Sequence, residues 1–600
     1  MSGSSLKNMA ARKGPVRRLW ILLGYCFVIC NATNNGPHDT ESTYSGPTTR
    51  YYGWSIGVSS VTANCVTKDM IVVNGQFPGP TIYAVEGDTI IVNVTNNAGS
   101  GVTIHWHGVR QVLSCWQDGV GYITQCPLKQ GDSFVYNFTL QGQTGTVFWH
   151  AHTTWLRATV HGAIVVFPRD FTYPHTKPDD QFIVTLGEWW NGDPEAIEIA
   201  GLEGGGPFQL ADALLVNGKP GYRYNCTDVE GITRFTISAG KTYLLRVINA
   251  GLNTEEFLGI ANHKQTVVEV DGEYVTPTDF DTTYIGPGQT MNVLITADQA
   301  PGSYYMEAKG YSSVILTDPA ELPAAAVQVI LNDVPKIPAS ALFQYDSAPV
   351  LDPSTTFYPG LPAENDSSFA MQFENSLFTL RPQDVPLNAT RNMLFTVGTA
   401  SQFCEPSQNC TFRAAGEVNN ITFVLPKIDL LQAYYFGIEG VYTTDFPDFP
   451  ESPFFYTSPD SPPTAQQISK LGTRVSVLEY GTVLDLVLQG TMVFAFESHP
   501  FHLHGYHFYV LGRGQGDWDP INSPSTLNYY NPPHRFTVDV PSRGWVAIRF
   551  AATNPGVWFL HCHLEKHTSW GMQMAFIVKN GVGPDQTLPP PPPRLTACAA

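Results

Sequence analysis

Charge is scarce in this 600-residue chain, at 14% for Lys, Arg, Asp and Glu together, which argues against a surface made of long charged helices. The balance is acidic, with 52 Asp and Glu against 33 Lys and Arg and a formal charge of −19. No basic patch is present, and such a surface repels polyphosphates and anionic membrane faces, so nucleic acid is not an expected partner. Apolar runs of membrane length are also missing. The run 19–29 is too short to span; it follows Lys7, Arg12, Lys13, Arg17 and Arg18 and leads into Cys30-Asn31-Ala32. That three-part form predicts a secretory signal over 1–32, with a retained anchor as the competing reading and no membrane association once the signal is removed. Sequons at Asn93, Asn137, Asn225, Asn365, Asn388, Asn409 and Asn420 agree with a secreted, glycosylated, extracellular protein.

Gly (53), Pro (46) and aromatics (12%) are plentiful, a mixture that predicts strands joined by turns and an all-β fold. The length calls for several domains. A strand pattern opening on Gly recurs three times, as Gly87-DTIIVNVTN, Gly240-KTYLLRVIN and Gly481-TVLDLVLQG, which implies three related domains. Apolar runs at 89–94, 163–167, 243–248, 546–550 and 574–578 suit small Greek-key β-sandwiches. The expected division is 50–168, 169–334 and 389–598, with 335–388, rich in Pro, Ser and Asp, as a connection. A second echo pairs Gly145-TVFWHAH with Gly556-VWFLHCH, so the first and third domains share something that the second lacks.

Ten of the 16 His fall in four short segments: His105-Trp-His107, His150-Ala-His152, His499-Pro-Phe-His502-Leu-His504, and His561-Cys-His563 with His567 behind it. Chance would give roughly 0.4 H-x-H pairs where four occur. In a strand, residues i and i+2 share a face about 6.5–7 Å apart. Four pairs therefore offer eight nitrogens to a polynuclear site with open positions for a small ligand, and imidazole suits copper, iron or zinc. Cys562, between two of these His, must point the other way and needs its own metal. With His499 and His567 it makes the trigonal His₂Cys set of a mononuclear blue copper centre, with Met572 placed as a weak axial ligand. An electron arriving at Cys562 then has a backbone path to His561 and His563. A zinc hydrolase would not need ten His and a thiolate. His38, His161, His175, His263, His507 and His534 lie outside this pattern and are read as ordinary histidines.

At these residues the chain resembles the plant-type laccases of the multicopper oxidase family, through His105-WHG, Trp149-HAH, His499-PFHLHG and His561-CHLEKHTSWGM, over about 52–598. Asn74-GQFPGPT, Gln125-CP, Trp155-LRATVHGA and Gly544-WVAIRF add to the likeness. The resemblance implies three consecutive cupredoxin-like domains and four copper ions. His499, Cys562 and His567 would bind type 1 copper; His105 and His502 type 2; and His107, His150, His152, His504, His561 and His563 the type 3 pair. It also implies proton delivery by Asp118 and Glu565, while Asp212, in Leu210-ADALLVNG, resembles an acidic residue that lines the phenol pocket of fungal laccases. The pairing it suggests is Cys65 with Cys226 and Cys126 with Cys598, while Cys404 and Cys410 are close enough in sequence to pair locally and Cys115 is left over. Two positions depart from the pattern: Met572, where plant laccases commonly carry Leu and ascorbate oxidases Met, and Gln117, where Ala is usual.

The activity implied is one-electron oxidation of small phenolic reductants coupled to reduction of dioxygen to water, by a monomer. Ascorbate oxidation is the nearest alternative, suggested by Met572 and opposed by Trp149-HAHTTWLRATVHG. Metal-ion oxidation lacks a dedicated acidic ligand set, and a copper-free cell-wall glycoprotein would not retain all ten His and Cys562.

Overall fold

The three repeated glycines each begin a strand from a left-handed backbone, with φ of +89° at Gly87, +78° at Gly240 and +81° at Gly481, a conformation that a Cβ disfavours. The strands they start, Thr89–Asn96, Thr242–Asn249 and Val483–Gly490, occupy equivalent positions. Each pairs in parallel with one neighbour and antiparallel with the other, so the sequence repeat is a topological repeat. These relations come from a computed structural model that describes residues 46–598 except 206, 225–230, 317–332, 349–355, 383–384, 405–411, 459–466, 492–494 and 597. The signal reading over 1–32, the sequons Asn225 and Asn409, and Cys226 and Cys410 lie outside the described residues.

The described strands form three successive sandwiches, in agreement with the all-β expectation. The first sets a four-stranded sheet, centred on Thr49–Ala63 and Thr89–Asn96, against another in the order Ile82–Val85, His161–Phe167, Gly145–Ala151, Ile104–His107. Trp54, Ile90 and Val92 of one sheet and Trp106, Trp149 and Ile164 of the other share one buried core. Each such side chain contributes about 1.5–3 kcal/mol or more through removal from water. The second sandwich faces six strands with five, and the third faces eight with five. Each has its own core drawn from both sheets.

The segment 335–388 is not simply a connection. Strand Ala339–Tyr345 enters the five-stranded sheet of the second sandwich, between Thr233–Ile237 and Ser303–Tyr311. All seven of its residues are buried, so the polar–apolar alternation that reveals a half-buried strand is missing. Helix Ser367–Asn375 follows, capped by the Asp366 side chain, which accepts from the Phe369 N–H, and it places Ala370 and Phe373 in the second core. Among the described residues, no helix is long and apolar enough to cross a membrane.

Candidate metal centre

Two antiparallel strand pairs carry the histidines. In the first sandwich His105 lies opposite His150, and in the third His502 lies opposite His561. Alternation sends Trp106, Trp149 and Ala151 into the first core, and Phe501, Leu503 and Cys562 into the third. The histidines therefore occupy the opposite faces, and these faces meet. Ring centroids are 3.8 Å apart for His107 and His502, 4.1 Å for His105 and His504, and 5.1 Å for His152 and His561.

Six of the eight rings are oriented by the nitrogen that faces away from the cluster. The Asp118 carbonyl accepts from His105 Nδ1–H (2.8 Å) and the Phe536 carbonyl from His502 Nδ1–H (2.8 Å). His150 and His561 each donate Nδ1–H to the carbonyl of the next residue, Ala151 (2.8 Å) and Cys562 (2.9 Å). His504 Nδ1–H donates to Asp118 Oδ2 (3.0 Å), so Asp118 holds one histidine from the first sandwich and one from the third. His107 is turned the other way, with Nε2 3.2 Å from Thr537 Oγ1 and Nδ1 facing inward.

The inward nitrogens fall into groups. His107, His150 and His563 form one triad, His152, His504 and His561 a second, and His105 and His502 come together beside His107; within each group the ligand atoms lie within 4.8 Å of one another. The Nε2 atoms of His105, His152 and His502 are buried without a hydrogen-bond partner, a cost that bound metal removes. Burial, reinforced by neighbouring cationic groups, pushes the pKa of His107, His150, His502, His504, His561 and His563 well down and that of His152 down to about 3. These seven rings are thus neutral, with lone pairs available as ligands.

On the far side of its strand, Cys562 joins His499 and His567. Its Sγ is 3.9 Å from His499 Nδ1 and 3.5 Å from His567 Nδ1, and the two nitrogens are 3.2 Å apart. Burial pushes the thiol well up, so it is a thiolate only beside a cation, as a metal provides. Met572 is fully buried and tied by its backbone to two of these residues: its N–H donates to the His567 carbonyl (2.9 Å), and its carbonyl accepts from the Cys562 N–H (3.1 Å). Outside the set, His567 Nε2 is 3.1 Å from Glu497 Oε2.

The other expected site residues are placed unequally. Glu565 is paired with Arg157 (2.9 Å), a buried guanidinium that also lies against His563; burial pushes the Glu565 pKa up and Arg157 opposes that shift. Asp212 is exposed, and its Oδ2 accepts from the Asn191 N–H (2.8 Å), which joins the ends of the paired strands Asp180–Trp189 and Ala213–Val216. Arg157, Thr537 and Glu497 carry no sequence signal of their own; only Arg157 lies within a stretch shared with the family, Trp155-LRATVHGA. Gln117 Oε1 accepts from the Asn137 N–H (3.0 Å). Cys126 is bonded to Cys598, Cys404 is in a disulfide, and Cys115 is a buried free thiol.

A cysteine grouped with two histidines and set one residue from two imidazole triads matches the donor preferences of copper, so fold and site together suit a multinuclear copper protein. Comparison with known proteins narrows this. Multicopper oxidase family profiles match 55–170, 180–332 and 445–582. Laccase-2 of Oryza sativa subsp. japonica is 47% identical over 556 residues, covering 91% of this chain and 95% of its own. Laccase-11 of Arabidopsis thaliana is 44% identical over 552 residues, covering 91% and 95%. Among solved structures, the laccase from Botrytis aclada superposes with a TM-score of 0.70 at 25% identity, covering 93% of this chain and 92% of its own. The chain belongs to the multicopper oxidases, and within them to the laccases. The family carries four copper ions, and the donor groups described here fit that number.

Proposed function

We propose that this protein is a secreted, extracellular enzyme that takes single electrons from small phenols at the Cys562 centre and delivers them to dioxygen at the histidine cluster. One observation carries the reading: Cys562 Sγ belongs to the mononuclear set, while its chain neighbours His561 and His563 belong to different triads. A single residue thus connects one donor set to both halves of the other. Bound copper supplies one-electron acceptance from the phenol and four-electron reduction of dioxygen to water.

His499, Cys562 and His567 are assigned to type 1 copper with Met572 axial, and His105 and His502 to type 2. The triads His107, His150, His563 and His152, His504, His561 are assigned to the two type 3 ions. Asp118 is assigned proton delivery, supported by its buried Oδ1, which has no hydrogen-bond partner while Oδ2 holds His504. Glu565 is assigned a second proton route, supported by its 15% exposure beside the buried Arg157. Asp212 is assigned acceptance of the phenolic proton, supported by its exposure next to Ala211, which packs in one cluster with Leu252, whose carbonyl accepts from the Glu565 N–H.

Oxygen uptake by the purified copper-replete protein tests this, with a syringyl-type phenol, ascorbate and ferrous ion supplied at equal concentration. The phenol should be consumed fastest. Faster turnover of ascorbate would reassign the enzyme, and a copper-replete protein without an absorption band near about 600 nm would return it to the non-catalytic class.

A further inference from the structure

A second histidine group lies outside the copper ligands. His507 sits in the turn between strands His499–Leu503 and Phe508–Gln515, and His534 opens strand His534–Arg535, opposite Tyr509. Glu273 opens strand Glu273–Phe280 of the second sandwich. The Nδ1 atoms of both histidines lie 3.2 Å from one oxygen, Glu273 Oε1. The side chains of His507, His534 and Glu273 are 3%, 16% and 31% exposed, so the group is anchored inside and opens to solvent at one side.

Hydrogen-bond roles leave an unsatisfied contact here. His507 Nε2 is 3.1 Å from the Gly108 carbonyl, which can only accept, so the proton is on Nε2. In a neutral ring Nδ1 then directs a lone pair at a carboxylate oxygen, and the contact is repulsive unless a cation lies between them. Burial pushes the His507 pKa down, which disfavours a proton as that cation. His105, His150, His502 and His561 show the same arrangement at the copper cluster, with one ring nitrogen on a backbone carbonyl and the other facing donors. Arg110 also faces Glu273, but its Nη2 donates to the Gln141 carbonyl (2.8 Å).

We propose that His507, His534 and Glu273 form a fifth metal site, which takes a divalent transition ion of the zinc class with solvent completing its coordination. Two imidazoles and a carboxylate are suitable donors for such an ion. Ligand bonds of about 2.0–2.2 Å in tetrahedral array put donor atoms about 3.3 Å apart, close to the observed spacing. Gly108 follows strand Ile104–His107 of the first sandwich, Glu273 comes from the second, and both histidines come from the third. An ion held here ties all three together.

Equilibrium dialysis of the copper-replete protein against zinc chloride, with metals counted by mass spectrometry, tests the site without using any copper ligand. One zinc ion per chain should bind saturably beyond the resident copper, and Tm should rise at saturating zinc. Glu273→Gln and His534→Ala should each lose that equivalent while keeping the blue band, which reports an intact fold and copper centre. Absence of saturable zinc uptake by the unaltered protein overturns the proposal, as does undiminished uptake by both variants.

Discussion

The two histidine-bearing strand pairs differ less in backbone than in what lies behind them. In both, an H-x-H residue of one strand faces an H-x-H residue of the other, and His150 and His561 even share the hydrogen bond to the following carbonyl. Behind the first pair stand Trp106, Trp149 and Ala151, with Trp54 packed 5.6 Å and 4.3 Å from the two Trp rings, so that face is core and nothing else. Behind the second stands Cys562, facing His499 and His567. One substitution at an alternating position separates a strand that walls a site from one that connects two sites.

Cys562→Ser breaks the comparison outright. It should make the second pair like the first, with loss of the band near about 600 nm and of phenol oxidation, while copper at the histidine cluster is kept. Absorption, oxygen uptake and metal content read the three consequences, and wild-type turnover in the variant would exclude the assigned electron path.

Asp118→Asn tests what joins the two pairs. An amide oxygen can still accept from His504 Nδ1–H, so positioning survives and only protonation is lost. Reoxidation of the reduced enzyme should slow about 100-fold or more, the scale of general acid catalysis, with anaerobic reduction by phenol nearly unchanged. Equal loss in both half-reactions would leave Asp118 a positioning role only.

The smallest effect is expected from Met572→Leu, which alters only the far side of the second pair. The side chains are close in volume, so stability should change by less than about 1.5 kcal/mol and copper content should stay full. Loss of the thioether should raise the type 1 potential, because the axial ligand stabilises the oxidised ion more than the reduced one. A redox titration of the blue band with an unchanged or lower midpoint would remove Met572 from the ligand set.

The sequence by itself determined the local geometry: three Gly-initiated strands, four H-x-H pairs on strands or at their ends, and a cysteine that had to face away from its histidine neighbours. These are consequences of the two-residue strand period and of left-handed glycine, which a short window contains. It did not determine which histidines share an ion, because i and i+2 fix a common face and not the partner across from it. Only the packing of the first sandwich against the third gathers His107, His150 and His563 into one triad and His152, His504 and His561 into the other. Packing also decided that Asp118 holds His504 and His105, and that strand Ala339–Tyr345, without alternation, completes the second sandwich. His507 and His534 looked ordinary for the same reason: their common neighbour, Glu273, is more than two hundred residues away in the chain and is brought within 3.2 Å of both only by the junction of the sandwiches.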